Sequence, residues 1–193
     1  MEQAFNLDQG LEDEKLHSTL RDLFEGTAAL NEQQLCHRDL KPENAIRTLD
    51  GRVKIIDFGT TAIEESYGRA AAWGGDLTIH PPESFGFNGR SNRKTDSYSL
   101  FLMTYKLATG KEFFGHVSKQ EKKAAKQALA NQEKTQSFRE LLEEDRNLYG
   151  VDPKLLDLMA KLGTANESER ILAREALLMS YFANREVNVL EAA

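Results

Sequence analysis

Residues 36–44 of this chain read Cys-His-Arg-Asp-Leu-Lys-Pro-Glu-Asn, and residues 57–59 read Asp-Phe-Gly. Between the two stretches lie short apolar runs separated by an Asp-Gly pair, which is a strong signal for a tight turn. The pattern predicts a short β-hairpin with Asp39 and Asn44 ahead of its first strand and Asp57 behind its second. We therefore expect two acids and an amide to meet at one edge of the hairpin.

These residue types suit one kind of chemistry. Asp57 and Asn44 offer the hard oxygen ligands that Mg²⁺ shares with phosphate oxygens and water. Asp39 could orient a hydroxyl group and accept its proton, and the charge of Lys41 could steady a transferring phosphoryl group. Phosphoryl transfer needs these parts because the protein mostly positions the reactants and neutralises charge.

Helical periodicity fills most of the remaining sequence. Segment 13–33 repeats leucines at steps of three and four, which predicts an amphipathic helix. Segment 95–109 is apolar nearly all round and stops at Gly110, which predicts a buried central helix. Three further helices are predicted, at 117–133, from Asp152-Pro153 to Gly163, and over 171–183. The fold class is one mainly α domain with a small hairpin, and residues 59–94 form a long loop without a clear period.

Composition excludes several classes of protein. The 193 residues include 25 Lys and Arg against 31 Asp and Glu, a net charge of −6 that argues against binding nucleic acid or an anionic membrane. The absence of an apolar span or a signal-peptide pattern predicts a cytoplasmic location, although a secreted effector without a cleavable signal would look identical. The single cysteine, Cys36, is predicted to be a small buried hydrophobic residue. The histidines away from the 36–44 stretch are expected on the surface or in loops: His17, His80 and His116.

The chain resembles the eukaryotic-type Ser/Thr protein kinases. It carries their H-R-D-L-K-P-x-N motif at 37–44 and their D-F-G motif at 57–59, with the family's spacing of 18 residues from Asp39 to Asp57. Further along the chain, three stretches resemble the family's A-P-E element, the start of its central helix and its penultimate-loop arginine: 80–83, 94–99 and 169–170. The resemblance covers residues 12–183 in the family's order.

The resemblance implies roles for the residues of the site. Asp39 would be the catalytic base and Lys41 would contact the γ-phosphate of ATP. Asn44 and Asp57 would hold Mg²⁺. The residues implied to bind the nucleotide are Lys41, Glu43, Asn44, Ile46 and Asp57, with Ile46 beneath the adenine. Lys41 also favours Ser/Thr over Tyr substrates, because Tyr-directed members of the family usually carry a different insert there.

The resemblance also implies supporting roles. His37 and Phe58 would stack, and Asp96 would accept backbone N–H groups of the catalytic loop. A buried ion pair would brace the loop through Glu83 and Arg170. Arg38 would pair with a phosphorylated residue of the loop, and the acids Glu64 and Glu65 could partly supply that charge instead. The alternative is that these two acids form a solvated acidic turn.

The sequence departs from the family most clearly before residue 36. It has neither a G-x-G-x-x-G-x-V loop nor a V-A-I-K lysine there, so we expect a kinase-like C-terminal lobe over 1–185 without the N-terminal sheet, followed by a tail at 186–193. The face of His37, Ile46 and Phe58, which an N-lobe would cover, is then expected to be exposed. Two smaller departures are Asp76 in place of a threonine and Arg47 in place of an apolar residue.

Three functions remain open at this point. The first is the catalytic lobe of a Ser/Thr protein kinase that uses ATP and Mg²⁺ and depends on an N-lobe outside this chain. The second is a catalytically silent lobe that binds proteins through its surface. The third, less favoured by the motif, is a small-molecule phosphotransferase. The expected partners are a protein substrate and a complementary N-lobe or regulatory protein, with no nucleic acid and no membrane.

Overall fold

The computed structural model describes residues 3–4, 10–64, 81–82, 92–113 and 138–183. Within these ranges the helices are α1 (Asp13–Glu32), α2 (Arg93–Thr109), α3 (Phe138–Glu144), α4 (Pro153–Gly163), α5 (Ala173–Ala176) and α6 (Ser180–Ala183). The strands are β1 (Gln3–Ala4), β2 (Leu35–Cys36), β3 (Ala45–Arg47), β4 (Val53–Ile55) and β5 (Ala62–Ile63). Short 3₁₀ turns occupy Pro42–Asn44, Arg146–Leu148 and Glu167–Glu169. The helix-rich fold with a small sheet is the fold class predicted from the sequence.

Helix α2 is the centre of the core. Its side chains are buried on nearly every side, since its neighbours α1 and α4 pack against it. Asn92 and Thr95 form a reciprocal capping box at its start, and Gly110 ends it in the left-handed conformation at φ 72°. These end signals give the helix the boundaries that the sequence predicts.

Helices α1 and α4 follow directly from their sequence patterns. The leucines of α1 recur on one face, and Leu16, Leu20 and Leu23 are buried in the core. Helix α4 begins at Pro153, and the side chain of Asp152 accepts a hydrogen bond of 2.8 Å from the Lys154 amide. Both predicted helices are therefore confirmed.

The predicted hairpin is present and carries the two sequence motifs at its ends. Strands β3 and β4 pair antiparallel with Ala45 opposite Ile55, and the turn between them contains Gly51 at φ 83°. Strand β1 adds to the free side of β3, with Ala4 opposite Ile46. A second two-stranded sheet joins β2 to β5. The sequence did not predict β1, β2 or β5, because two residues are too short to show a period.

Two predictions about the C-terminal region and its neighbours are wrong. The helix expected over 171–183 is divided into α5 and α6, because hydrogen bonds from Leu178 to Glu175 and from Met179 to Ala176 tighten the chain between them. His17 is 4% exposed rather than on the surface. Its Nε2 donates to the Tyr181 carbonyl at 3.2 Å, and its ring packs on Phe182, so the C-terminal helices bury it.

Several predicted features lie outside the described residues: the helix at 117–133, the tail at 186–193, Glu65, Asp76, His80, Glu83 and His116. Within the part of the chain that is described, no helix has the length and apolar character needed to cross a bilayer.

Candidate active site

Asp39 is the centre of the hydrogen bonds in the 37–44 loop. Its Oδ2 accepts from Lys41 Nζ at 2.7 Å and from Asn44 Nδ2 at 2.9 Å. Asn44 Nδ2 also donates to the Asp39 carbonyl at 2.8 Å. Because both partners of this nitrogen are acceptors, the amide orientation is fixed. The Oδ1 of Asn44 therefore remains as the oxygen that a cation could bind.

Asp96 on α2 holds this loop from below. The side chain is fully buried and accepts the backbone N–H groups of His37 at 2.8 Å and Arg38 at 2.9 Å, as predicted. Burial raises the pKa of Asp96 above its ordinary value, and the two amides act in the opposite direction. The bonds also support the φ of 72° at Arg38, a conformation that costs a residue with a side chain roughly 1–2 kcal/mol.

His37 connects the loop to the strand that precedes Asp57. Its Nδ1 accepts from the Asp39 amide at 3.3 Å, so its Nε2 is the nitrogen that donates to the Ile56 carbonyl at 3.2 Å. The predicted contact with Phe58 is present, with ring centroids 5.4 Å apart. The prediction of an exposed His37 is wrong: the ring is fully buried, because it is bonded on both sides and covered by Phe58.

Asp57 reaches the same end of the hairpin as Asn44. The amide of Ile56, the residue before Asp57, donates to the Asn44 carbonyl at 2.8 Å. Asp57 itself is exposed, has a φ of 62°, and accepts from the Gly59 amide at 3.2 Å through Oδ1. Among the described residues, no three His, Cys, Asp or Glu side chains form a metal cluster. One carboxylate and one amide oxygen still fit Mg²⁺, which takes few protein ligands and fills its shell with water and phosphate oxygens.

The remaining residues implied to bind the nucleotide surround this edge. Lys41 is partly buried against Asp39, and Glu43 is exposed on the 3₁₀ turn. Ile46 is partly exposed on β3, beside β1. Phe58 is 51% exposed. The predicted apolar face therefore consists of Ile46 and Phe58, without His37.

Glu64 does not form an ion pair with Arg38. Its Oε2 lies 2.6 Å from Nε of Arg93 on α2. Within the described residues, Nε of Arg38 is buried and has no hydrogen-bond partner. The proposed substitution of Glu64 for a loop phosphate at Arg38 is therefore wrong, because the first residue of α2 takes the carboxylate instead.

Arg170 is fully buried, as the resemblance implies for a structural residue. It donates to the carbonyls of Lys94 at 3.0 Å and Thr164 at 3.0 Å, and it lies 5.1 Å from the centre of the Tyr98 ring. Its expected partner, Glu83, falls outside the described residues, so the ion pair stays a prediction.

Two contributors to the site were missed from the sequence. Thr60 donates its hydroxyl to the His37 carbonyl at 2.9 Å, which ties the segment after Asp57 to the catalytic loop. Arg93 binds Glu64 from α2. A hydroxyl after D-F-G and an arginine at a helix start are too common to have been singled out.

Comparison with known proteins agrees with this geometry. The sequence profile of the protein kinase domain matches residues 1–182. A loop that presents Asp39, Lys41 and Asn44 beside the Asp57 loop is an arrangement suited to phosphoryl transfer. The chain belongs to the protein kinase domain family.

Curated relatives of the chain are Ser/Thr protein kinases. A calcium/calmodulin-dependent serine/threonine-protein kinase of Malus domestica is 33% identical over 96 residues, covering 48% of this chain and 23% of the relative. A calcium and calcium/calmodulin-dependent serine/threonine-protein kinase of Lotus japonicus is 29% identical over 164 residues, covering 83% of this chain and 29% of the relative. Aurora kinase C of Mus musculus is 31% identical over 106 residues, covering 55% of this chain and 38% of the relative. The matched part is thus less than two-fifths of each relative.

Proposed function

We propose that this chain is the C-terminal lobe, over 1–185, of a protein kinase that transfers the γ-phosphate of ATP to Ser or Thr hydroxyls of a protein. The observation that carries the proposal is the pair of bonds on Asp39 Oδ2, from Lys41 at 2.7 Å and Asn44 at 2.9 Å. These bonds hold the Asp39 carboxylate beside the Lys41 ammonium group and beside the Asn44 amide, whose Oδ1 remains available to bind a metal ion. Decay of the site would not be expected to preserve all three.

Each residue has a task in this reaction. Asp39 orients the substrate hydroxyl and accepts its proton as the oxygen bonds to the γ-phosphorus, while the bond from that phosphorus to the β,γ-bridging oxygen breaks and ADP leaves. Lys41 neutralises charge on the phosphoryl group during transfer. Asn44 and Asp57 hold Mg²⁺, which supplies the charge that offsets the phosphate oxygens. Glu43 and Ile46 border the nucleotide, with Ile46 against the base.

An N-lobe or regulatory protein outside this sequence would complete the nucleotide site. Kinases cover the phosphates with a Gly-rich loop and bind them with a strand lysine, and this sequence contains neither motif. A tight small-molecule site buries about 70–90% of its ligand, which a single face cannot do. Ile46 and Phe58 form the apolar part of the face that such a partner would cover.

A protein-binding module without turnover is the second candidate. The half-exposed ring of Phe58 favours it, because an exposed apolar face commonly marks an interaction site. Under either function the partners are proteins. The proposal also includes a cytoplasmic location and no binding of nucleic acid or membranes. The net charge of −6 supports the proposed absence of nucleic acid and membrane binding.

The test is Mg²⁺·ATP binding and phosphoryl transfer by the purified 193-residue chain, alone and mixed with a kinase N-lobe, with Asp57→Ala as the control variant. We expect weak nucleotide binding and negligible transfer by the chain alone, and transfer after addition of an N-lobe that fits. The Asp57→Ala change should abolish metal-dependent binding in both preparations.

Three results would change this view. Robust transfer by the chain alone, eliminated by Asp57→Ala, would show that no N-lobe is needed. Nucleotide binding that is indifferent to Mg²⁺ and to Asp57→Ala would refute the metal site. Tight association with a protein partner without any nucleotide binding would favour the second candidate.

A further inference from the structure

Among the described residues, the segment that leaves the Asp57 loop reaches helix α2 through Glu64. After Asp-Phe-Gly the chain turns, with the Thr61 amide donating to the Phe58 carbonyl at 3.0 Å, and then forms β5 against β2. The Glu64 amide extends this pairing by donating to the Gln34 carbonyl at 2.9 Å. Glu64 is therefore held at a fixed place, seven residues beyond Asp57.

The side chain of Glu64 reaches the first turn of α2. Its Oε2 lies 2.6 Å from Arg93 Nε, and its Oε1 accepts from the Arg93 backbone amide at 3.3 Å. Arg93 NH1 also donates to the Asn31 carbonyl near the end of α1 at 3.5 Å. One carboxylate thus binds both the charge of Arg93 and a helix-start amide that has no partner within the helix.

The same turn of α2 also holds the catalytic loop. Asp96, three residues after Arg93, accepts the backbone amides of His37 and Arg38. The loop with Asp39 and the segment leaving Asp57 are consequently fastened to α2 within one helical turn. The Glu64–Arg93 pair therefore acts together with the Thr60–His37 hydrogen bond and the β2–β5 pairing to oppose a shift of the second segment relative to the first.

Burial makes this pair stronger than an ordinary surface ion pair. The side chains of Arg93 and Glu64 are 33% and 25% exposed, whereas the Arg52–Glu25 pair on the hairpin side is 60% and 46% exposed. Solvent screens the first pair less, and the Glu64 carboxylate also accepts a hydrogen bond from the Arg93 backbone amide.

We propose that Glu64 and Arg93 are positioning residues that fix Asp57 relative to Asp39, so that metal-nucleotide binding at this site does not require a phosphate on the segment after Asp57. This inference rests on the proposed function for its effect on nucleotide binding. The attachment of the segment after Asp57 to α2 through Glu64 and Arg93 is a property of the fold and can be measured separately.

The experiment uses the unphosphorylated 193-residue chain and four changes: Glu64→Gln, Glu64→Arg, Arg93→Glu, and the double exchange Glu64→Arg with Arg93→Glu. Hydrogen exchange of the amides at 57–63 reports this attachment. Paramagnetic broadening of amides beside Asn44 and Asp57 by Mn²⁺·ATP reports the metal-nucleotide site. Glu25→Gln removes the hairpin ion pair and is the matched control.

We expect each single change at Glu64 or Arg93 to speed exchange at 57–63 by about tenfold and to weaken Mn²⁺·ATP binding by about as much. The double exchange should recover most of both effects, because it restores the ion pair with reversed charges. Recovery also separates positioning from a general loss of stability. Glu25→Gln should leave both measurements unchanged.

Unchanged exchange at 57–63 in Glu64→Gln, or a double exchange no better than the single changes, would overturn the inference. Absence of broadening beside Asn44 and Asp57 in the wild-type chain would instead refute the proposed metal-nucleotide site. In that case the hydrogen-exchange data alone decide whether Glu64 and Arg93 attach the segment to α2. Failure of this inference and failure of the proposed function are therefore distinguishable.

Discussion

The loop that carries Asp39 and the loop that carries Asp57 are held in different ways. Asp39 is only partly exposed, and its carboxylate is bonded by Lys41 and Asn44. Asp57 is exposed, and among the described residues its carboxylate accepts one hydrogen bond, from Gly59 in its own loop. The protein therefore preorganises the Asp39 carboxylate. The Asp57 carboxylate lies at the surface, which suits its proposed role as a metal ligand, because Mg²⁺ fills the rest of its coordination shell with water and phosphate oxygens.

Asp39→Asn tests the preorganised side of the comparison and should have the largest effect. Phosphoryl transfer by the chain assembled with an N-lobe should fall by roughly 10²–10⁴-fold, because the amide cannot accept the substrate proton. Binding of Mg²⁺·ATP should change little, since the proposed metal ligands are Asn44 and Asp57. The measurements are turnover and nucleotide affinity of the same preparation.

Asp50→Asn, on the exposed hairpin turn, is the control for this prediction and should leave turnover at the wild-type value. Activity of Asp39→Asn within a few-fold of wild type would remove Asp39 from the role of base. An equal loss of nucleotide affinity in Asp39→Asn and Asp57→Ala would show that the two loops do not have separate roles in proton acceptance and metal binding.

Asp96→Ala tests what supports the Asp39 loop and should have the second-largest effect. It leaves the amides of His37 and Arg38 buried without their acceptor, and an unsatisfied buried group costs roughly 1–3 kcal/mol. With two such amides, the free energy of unfolding in urea should therefore fall by about 2–6 kcal/mol.

Asp152→Ala offers a comparison for that value, because it removes an aspartate that only caps α4, a change that costs about 1 kcal/mol. If Asp96→Ala destabilises the chain no more than Asp152→Ala does, the buried carboxylate does not hold the loop.

Removal of the Cys36 thiol has the smallest predicted effect. It tests the pairing of β2 with β5, which joins the Asp39 loop to the segment after Asp57. It lies on β2 opposite Ala62 on β5, and burial raises the pKa of its thiol from 9.0 to about 12. A raised pKa contributes stability that is complete below pH 9 and is lost as the pH rises toward 12. By pH 10 the free energy of unfolding should fall by about 1 kcal/mol more in wild type than in Cys36→Ala.

The comparison with Cys36→Ala is needed because lysines and tyrosines titrate in the same pH range. Identical pH profiles for the two proteins would show that the thiol is not buried between β2 and β5. Rapid modification of the native thiol at pH 8 would lead to the same conclusion.

Much of the site could be predicted because it is local in the sequence. Asp39, Lys41 and Asn44 lie within six residues of one another, and an Asp-Gly turn with two apolar runs returns the chain to Asp57. The buried helix α2 and its end at Gly110 followed from hydrophobic pattern and end signals alone. Asp96 was assigned correctly through the family resemblance.

The misses share one physical reason. His17 was expected on the surface, and the helix after Ile171 was expected to be continuous, because neither sequence window shows that Tyr181 and Phe182 pack back onto α1. Glu64 was assigned to Arg38 through the family resemblance, but the fold brings Arg93 of α2 to its carboxylate instead.

The sequence by itself determined which carboxylates, amide and cation lie at the hairpin edge, and the family to which the chain belongs. Those features depend on neighbouring residues whose spacing is set by short strands and a turn. Only the tertiary structure decided how that edge is held. The partners of Asp96 and Glu64 come from distant parts of the chain, and it is the burial of α2 in the core that brings them together.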